Sequence, residues 1–250
     1  MRSFFSILGG MGTIATESYV RLINHRVKIS RDQDYLNYIL VNHATVPDRT
    51  SYILNPSEHE SFLPYLIEDI EQQNKLGPDF IVMVCNTAHY FYEELQKNSQ
   101  APILHMPRIA IKQMVSQYPT EEKIGLIATR GTIADGIYKN EIEKVGKEVV
   151  LGGPEIQELV DELIYQNIKE KGIVDVALYH QILQKMHDDY GVNVIVLGCT
   201  ELSLAQEKGS NHQYQVIDAQ SIIADVTIDL ATRIRKGQDK QSLINHYQKA

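Results

Sequence analysis

The chain has 250 residues, of which 43% are hydrophobic and 22% are charged, and its formal net charge is −8. This length and composition are typical of a soluble globular protein with one large domain or two small ones. The negative charge argues against nucleic acid and anionic membrane surfaces as partners. No apolar run reaches the roughly 18–20 residues that span a bilayer, and no cleavage site follows the N-terminal apolar stretch. We therefore expect a cytoplasmic protein.

The chain opens with a predicted buried strand, residues 3–8, followed by a glycine turn and a helix. Gly10 and Gly12 in this turn have the spacing of a dinucleotide-binding motif. However, the next predicted strand, residues 35–44, ends without the carboxylate that such a motif needs for the ribose. The turn is more consistent with backbone N–H groups that bind a carboxylate at the start of a helix.

Strands and helices alternate through the rest of the chain. A long predicted loop, residues 44–62, is rich in Pro, Ser and Asp and contains Arg49. Further strands are predicted at 78–85, 101–107, 123–129, 148–154, 192–199 and 214–219. Helices are predicted at 62–77, 86–98, 108–118, 154–172, 175–191, 200–209 and 221–234, and a turn followed by a helix at 130–146. Such alternation is typical of parallel βαβ units and predicts an α/β fold.

The two halves of the chain resemble each other. Residues 3–16 correspond to 123–135, 81–88 to 194–201, and 101–107 to 214–221. This repeat predicts two similar lobes, each a parallel sheet flanked by helices, related by a pseudo-two-fold axis. The carboxyl ends of the strands would face a shared cleft, which is where open α/β sheets bind ligands. We assign residues 1–106 and 214–250 to the first lobe and residues 107–213 to the second.

The chain has two cysteines, Cys85 and Cys199, each where a predicted strand gives way to a turn with threonine. Neither C-x-x-C spacing nor a histidine cluster accompanies them, which argues against a metal site and a dithiol redox pair. A purely structural pair of buried thiols is the bland alternative. The chemical alternative is a pair of acid–base groups. A thiolate stabilised at a helix N-terminus would abstract a proton, and the opposite thiol would deliver one.

Residues 85–89 (CNTAH) and 198–202 (GCTEL) closely resemble the signature segments of the cofactor-independent aspartate/glutamate racemase superfamily. The aspartate racemase branch is the most similar. Further segments that resemble this branch are 9–12, 15–17, 47–50, 127–132 and 164–172. In glutamate racemases a histidine usually occupies the position of Glu201. Ser203 stands where the aspartate branch commonly has proline.

The resemblance implies that Cys85 and Cys199 are the two catalytic bases, each serving one enantiomer. It implies that Arg49 and Lys169 bind the carboxylates of the substrate, which supplies local cations in a negatively charged protein. It also implies further substrate contacts from Met11, Asn86, Thr87, Thr129 and Thr200.

Glu201 and His89 are candidate helpers, because each lies just past a cysteine and could tune its protonation. The alternative for each is a helix cap or a solvent-facing side chain. We also expect the loop at residues 45–60 to close over the substrate and to carry Arg49 with it.

The resemblance thus implies an isomerase that interconverts L- and D-aspartate by a two-base thiol mechanism, with neither cofactor nor metal. Within the superfamily, a glutamate or broad-specificity amino-acid racemase is an alternative. A non-catalytic amino-acid-binding module is an alternative of another class. The expected partner is a small dicarboxylic amino acid. Similar racemases are dimers, so a homodimer is expected.

Overall fold

Short runs of apolar and β-branched residues form two parallel four-stranded sheets in the structure, a computed structural model that describes residues 3–248. The first sheet contains β1 (Phe5–Gly9), β2 (Tyr38–Asn42), β3 (Ile81–Met83) and β4 (Ile103–Leu104). The second sheet contains β5 (Lys123–Ala128), β6 (Glu148–Leu151), β7 (Val194–Gly198) and β8 (Gln215–Asp218).

Both sheets have the same strand order, β2-β1-β3-β4 in the first and β6-β5-β7-β8 in the second. All neighbouring strands are parallel. The inner strands β1, β3 and β7 are buried throughout, which is why their sequences are apolar on both faces, apart from Ser6, rather than alternating. The predicted α/β fold with two similar lobes is confirmed.

Helices connect the strands, and most of them begin and end at residues suited to those positions. For example, α3 has a proline in its first turn and ends at Gly77, whose left-handed backbone is typical of a helix C-terminus. The helices are α1 (Thr13–Arg26), α2 (Arg49–Leu54), α3 (Leu63–Leu76), α4 (Tyr92–Asn98), α5 (Met106–Gln117), α6 (Arg130–Asp135), α7 (Ile137–Lys144), α8 (Pro154–Asp161), α9 (Val176–Tyr190), α10 (Thr200–Lys208), α11 (Ala219–Arg235) and α12 (Lys240–Gln248).

Several elements differ from the sequence-based expectation, among them α6, where a turn was expected before α7, and α12, which was not predicted. The predicted loop at residues 44–62 contains the short helix α2, which Asp48 caps by accepting a hydrogen bond from the Ser51 backbone N–H at 2.7 Å. The predicted helix at 154–172 is α-helical only to Asp161 and continues as a π-helical segment, Glu162–Glu170. The helix predicted at 86–98 begins as a 3-10 turn, Thr87–Phe91.

The predicted boundary between the lobes needs one correction. Strand β8 pairs with β7, so the second sheet extends to Asp218, past the boundary placed at residue 213. Helix α11, which follows, packs against both α1 and α5. One apolar core runs through both sheets and α11, and it includes Phe5, Val82, Leu126, Val196 and Leu230. The two lobes therefore share a core and are not independently packed units.

No helix within residues 3–248 is both long enough and apolar enough to cross a membrane.

Candidate active site

The ends of strands β3 and β7 bring the two cysteines to one cavity between the lobes. Cys85 follows β3 and Cys199 follows β7, so the two residues occupy equivalent positions in the two sheets. Both are buried, with 5% and 4% of their surface exposed. They line a nearly closed cavity of about 10 Å³, here called the inner cavity, which has room for about one water molecule.

The inner cavity gathers nearly all of the residues that the sequence singled out. Besides the cysteines it is lined by Met11, Asp48, Arg49, Thr50, Asn86, Thr87, Thr129, Lys169, Thr200 and Glu201. Asp48 and Thr50 had no predicted role, although they flank Arg49 in a segment that did. His89 does not line it.

A larger cavity of about 390 Å³, here called the outer cavity, adjoins the inner one. The two share Met11, Asp48, Arg49, Lys169 and Glu201 as lining residues. The rest of the outer wall is mainly backbone of the glycine turn and apolar side chains, namely Ile14, Ala15, Val46, Ile168 and Leu204. Arg49 and Lys169 therefore lie between the outer cavity and the two thiols.

Glu201 holds the thiol of Cys199 in its protonated form. The Sγ–H of Cys199 donates to Oε2 of Glu201 at 2.9 Å. Burial raises the pKa of the Cys199 thiol well above its usual value, the Glu201 carboxylate raises it further, and the Lys169 ammonium opposes them. The start of a helix was expected to favour the thiolate form of this residue. That expectation is therefore wrong for Cys199, although Cys199 is the N-cap residue of α10.

The other carboxylate oxygen of Glu201 faces the glycine turn. Oε1 is buried and accepts no hydrogen bond from the residues that the structure describes, and the nearest cation is Lys169 Nζ at 3.7 Å. A Cβ built on Gly12 would lie 2.6 Å from this oxygen. Because glycine has no Cβ, Oε1 of Glu201 fits at this place. This contact accounts for a glycine at position 12 of the turn.

Lys169 is presented by the π-helical segment rather than by a regular α-helix. Its Nζ lies 4.9 Å from the centre of the Tyr165 ring, and a quarter of its side chain is exposed. Burial alone lowers the pKa of Lys169, but the Glu201 carboxylate opposes this effect and the pKa is raised overall, so the ammonium stays charged. π-Helical turns occur often at functional sites, and Lys169 fits that pattern.

Arg49, in contrast, is held by backbone carbonyls. Nη1 donates to the carbonyls of Val46 (3.1 Å) and Pro47 (2.9 Å), and Nη2 donates to the carbonyl of Met11 (3.0 Å). The residue is buried, and within residues 3–248 it forms no ion pair. A buried guanidinium without a carboxylate is costly unless a ligand supplies the anion, so this position suits a substrate carboxylate.

Three threonine hydroxyls meet across the lobe interface. Thr87 Oγ1 lies 3.1 Å from Thr129 Oγ1 and 2.9 Å from Thr132 Oγ1, and the latter two are 3.1 Å apart. Thr129 also caps α6 by accepting from the Thr132 backbone N–H at 3.2 Å. Thr132 was not singled out from the sequence, although it belongs to the repeated Gly-Thr-Ile-Ala stretch that both halves contain.

Asn86, next to Cys85, also bonds to the opposite lobe. Its Oδ1 accepts a hydrogen bond from the hydroxyl of Tyr138. No sequence pattern identified Tyr138 as a residue of the site. Its Nδ2 is buried and donates to no group in the described part of the chain.

His89 contacts the backbone of Cys85 rather than its thiol. Nδ1 donates to the Cys85 carbonyl at 2.8 Å, and Nε2 accepts from the Met106 backbone N–H at 3.2 Å. Burial lowers the pKa of His89 to about 4, so the ring is neutral at pH 7. These bonds position the chain at Cys85, and the geometry gives His89 no direct path to the sulfur.

Over residues 3–248, the His, Cys, Asp and Glu side chains form no group of three or more that could hold a metal ion.

Comparison with known proteins identifies related families and folds. The family described as Asp/Glu/Hydantoin racemase matches residues 8–227. The broad specificity amino-acid racemase RacX of Bacillus subtilis is 27% identical over 231 residues, which are 89% of this chain and 95% of that protein. A glutamate racemase of Persephonella marina is 26% identical over 152 residues, covering 59% of this chain and 56% of its own length.

Two solved structures have the same fold. A putative Asp/Glu racemase from Yersinia pestis is 25% identical, with a TM-score of 0.72, covering 92% of this chain and 99% of its own. The aspartate racemase of Picrophilus torridus is 23% identical, with a TM-score of 0.75, covering 98% of this chain and 99% of its own.

Proposed function

Because this chain belongs to the Asp/Glu/hydantoin racemase family, we propose that it interconverts L- and D-aspartate without a cofactor. The observation that carries the proposal is that Cys85 and Cys199, from equivalent strand ends of the two lobes, line one closed cavity. Two thiols in this arrangement can act on the two faces of one carbon atom. The substrate would lie between them with Cα in the inner cavity.

A protonated Cys199 thiol, hydrogen-bonded to Glu201, suits one direction of the reaction. Cys85, as a thiolate, takes the α-proton, and the electron pair of the broken C–H bond stays on Cα. The thiol of Cys199 then protonates the opposite face and becomes the thiolate. In the reverse direction Cys199 starts as the thiolate, so Glu201 must first give up its hydrogen bond from Sγ.

The carbanion-like state needs stabilisation, because an α-proton is far less acidic than a thiol. The unpaired Nδ2 of Asn86 and the hydroxyls of Thr87, Thr129 and Thr200 are donors within reach of an α-carboxylate in the inner cavity. Donors held in place in a closed, dry site stabilise developing charge strongly. Arg49, which forms no salt bridge within residues 3–248, and Lys169 would bind the carboxylates.

Exchange of the α-proton with solvent tests this mechanism. In heavy water, the wild-type protein should racemise aspartate and incorporate deuterium at Cα. Cys85→Ser and Cys199→Ser should each abolish racemisation, because either change removes one of the two bases. Racemisation that persists in both variants would contradict the two-base mechanism. Binding of an amino acid without exchange would favour the alternative of a binding module.

A broad-specificity amino-acid racemase is the second candidate, and the outer cavity favours it. Its volume of about 390 Å³ and its apolar wall of Ile14, Val46, Ile168 and Leu204 could hold side chains larger than that of aspartate. Similarity to RacX over most of both chains points the same way. Glutamate differs from aspartate by one methylene, which is worth only about 1–3 kcal/mol in a pocket.

A panel of D- and L-amino acids separates these candidates, and Arg49→Gln sharpens the comparison. If the enzyme prefers dicarboxylates, this change should raise KM for aspartate by about tenfold or more and leave leucine at background. If specificity is broad, the wild type should racemise apolar amino acids, and Arg49→Gln should reduce kcat/KM less for them than for aspartate.

We further propose that the protein is a cytoplasmic homodimer, and sedimentation at several concentrations tests the dimer.

A further inference from the structure

Tyr138, on helix α7 of the second lobe, reaches across the interface to the residue that follows Cys85. Its hydroxyl donates to Oδ1 of Asn86 at 2.5 Å. Tyr138 is fully buried and Asn86 is 2% exposed, so water does not compete for this bond. Burial raises the pKa of Tyr138 well above its usual value, and the negative charge of Asp218 adds to that effect. The phenol therefore keeps its proton.

This bond decides which end of the Asn86 amide is available to a ligand. A buried hydroxyl proton needs an acceptor, and within residues 3–248 Oδ1 of Asn86 is the acceptor that it has. If the amide turned over, both the tyrosine proton and Oδ1 would lose their partners. Nδ2 is thus the end left over, and it is buried at the inner cavity without a hydrogen-bond acceptor.

We propose that Tyr138 is a positioning residue, which orients the Asn86 amide so that Nδ2 donates to the α-carboxylate of the substrate. The inference rests on the proposed racemase function and adds a residue that does not line the cavity. Because Tyr138 and Asn86 belong to different lobes, a contact across the lobe interface orients the donor.

Tyr138→Phe tests the inference, because it removes only the hydroxyl from a buried ring. We expect kcat/KM for aspartate to fall by about tenfold in both directions, the size of one lost hydrogen bond to a charged group. Tyr19→Phe is the matched control. Tyr19 is also fully buried and bonds to Thr227 Oγ1 at 2.7 Å, but it lines neither cavity. Tyr19→Phe should lower the free energy of unfolding by a similar amount and leave kcat/KM unchanged.

A double-mutant cycle shows whether Tyr138 acts through Asn86. Asn86→Ala should lower kcat/KM further than Tyr138→Phe, and the double variant should be no slower than Asn86→Ala alone. Wild-type kcat/KM in Tyr138→Phe, or losses that simply multiply in the double variant, would overturn the inference.

Failure of the proposed function has a different signature, namely a wild-type protein that racemises no amino acid. In that case the side-chain amide signals of Asn86 in nitrogen-15 spectra, assigned by their absence in Asn86→Ala, provide the readout. Tyr138→Phe should shift them and speed their exchange with water, whereas Tyr19→Phe should not. Unchanged Asn86 signals in Tyr138→Phe would overturn the inference.

Discussion

Glu201 makes the two thiols chemically unequal. Cys199 donates its proton to this carboxylate at 2.9 Å, whereas the Sγ of Cys85 has no side-chain hydrogen-bond partner among residues 3–248. Both residues follow the third strand in the order of their sheets, so their positions in the fold are equivalent. Their different hydrogen bonding arises from the Glu201 side chain, and it should affect the pH at which Cys199 titrates.

Replacing Glu201 by Gln should lower the pKa of Cys199. The change removes the negative charge that disfavours the thiolate and leaves the Lys169 ammonium, which favours it. Since the chain has two cysteines, a Cys85→Ser background leaves Cys199 as the sole thiol. Ultraviolet absorbance of the thiolate, followed against pH, measures the shift between Cys85→Ser and Cys85→Ser/Glu201→Gln.

The triple variant Cys85→Ser/Cys199→Ser/Glu201→Gln is the control, because it has no thiol and should show no thiolate absorbance. If Cys199 titrates at the same pH with and without the carboxylate, the account of its protonated state given above fails.

At this scale the sequence identified the residues of the site but not their contacts. The cysteines and their neighbours could be selected because the chain repeats the same short segment twice. The protonation of Cys199 could not be predicted, because the rule that a helix start favours thiolate ignores the Glu201 carboxylate in the first turn of the same helix. Tyr138 and Thr132 were missed for a similar reason, since their partners lie in the other lobe.

The glycine turn between β1 and α1 is the element that forms one wall of the outer cavity. Gly10 has a φ of +89°, and a Cβ at this position would lie 2.5 Å from the backbone of His43. Glycine is therefore required here for two separate reasons, a left-handed backbone and a close approach of two chain segments. Most elements of this kind could be predicted, because strands, glycine turns and helix caps have local signatures.

Gly10→Ala should reduce the free energy of unfolding by more than Gly77→Ala does. Gly77 also has a positive φ, +68°, but a Cβ there meets nothing within 4 Å. Its substitution should cost about 1–2 kcal/mol, the penalty of the left-handed conformation alone. At Gly10 the backbone must move as well, so a larger loss is expected. Denaturant unfolding of the two variants measures both, and equal losses would contradict the close approach.

The π-helical segment and α2 were not anticipated. A π-helical turn uses hydrogen bonds five residues apart, and the apolar spacing of residues 154–172 does not distinguish such a turn from an α-helical one. Helix α2 is six residues long, too short for periodicity to appear in a segment rich in turn-forming residues.

Across the whole molecule, the repeat in the sequence predicted two sheets of the same order, and the structure has them. The repeat also paired residues 101–107 with 214–221, which correctly implied that β8 belongs to the second sheet. The predicted lobe boundary at residue 213 ignored that implication. No change of composition marks the boundary, because α11 continues the shared core across both lobes.

The inner cavity is too small for an amino acid, so some of the residues that line it must move before substrate enters. One contact across the lobe interface joins Tyr165 of the π-helical segment to Thr50 of α2, with 3.0 Å between the hydroxyl oxygens. Beyond α2, Glu58 and Glu60 are exposed, and a glutamate-specific protease can reach them. The segment at residues 45–60 was expected to close over the substrate, and this contact offers a way to test that expectation.

Thr50→Val should increase the rate of cleavage at Glu58 and Glu60 several-fold, because it removes the hydroxyl that bonds to Tyr165 without changing the volume of the side chain. Aspartate should slow cleavage in both the wild type and the variant. Thr50→Ser, which keeps the hydroxyl, should behave like the wild type. Cleavage rates that respond neither to aspartate nor to Thr50→Val would mean that this segment does not move with substrate.

The wide turn of the π-helical segment means that chain length, as much as residue identity, determines where Lys169 points. Successive residues of an α-helix are rotated by about 100° around its axis. Deleting one residue between Asp161 and Lys169 would let the segment relax to an α-helix, and the ammonium would turn away from Glu201 and the thiols. A related chain that lacks this extra residue could therefore align a lysine with Lys169 and yet present a different side chain to its substrate.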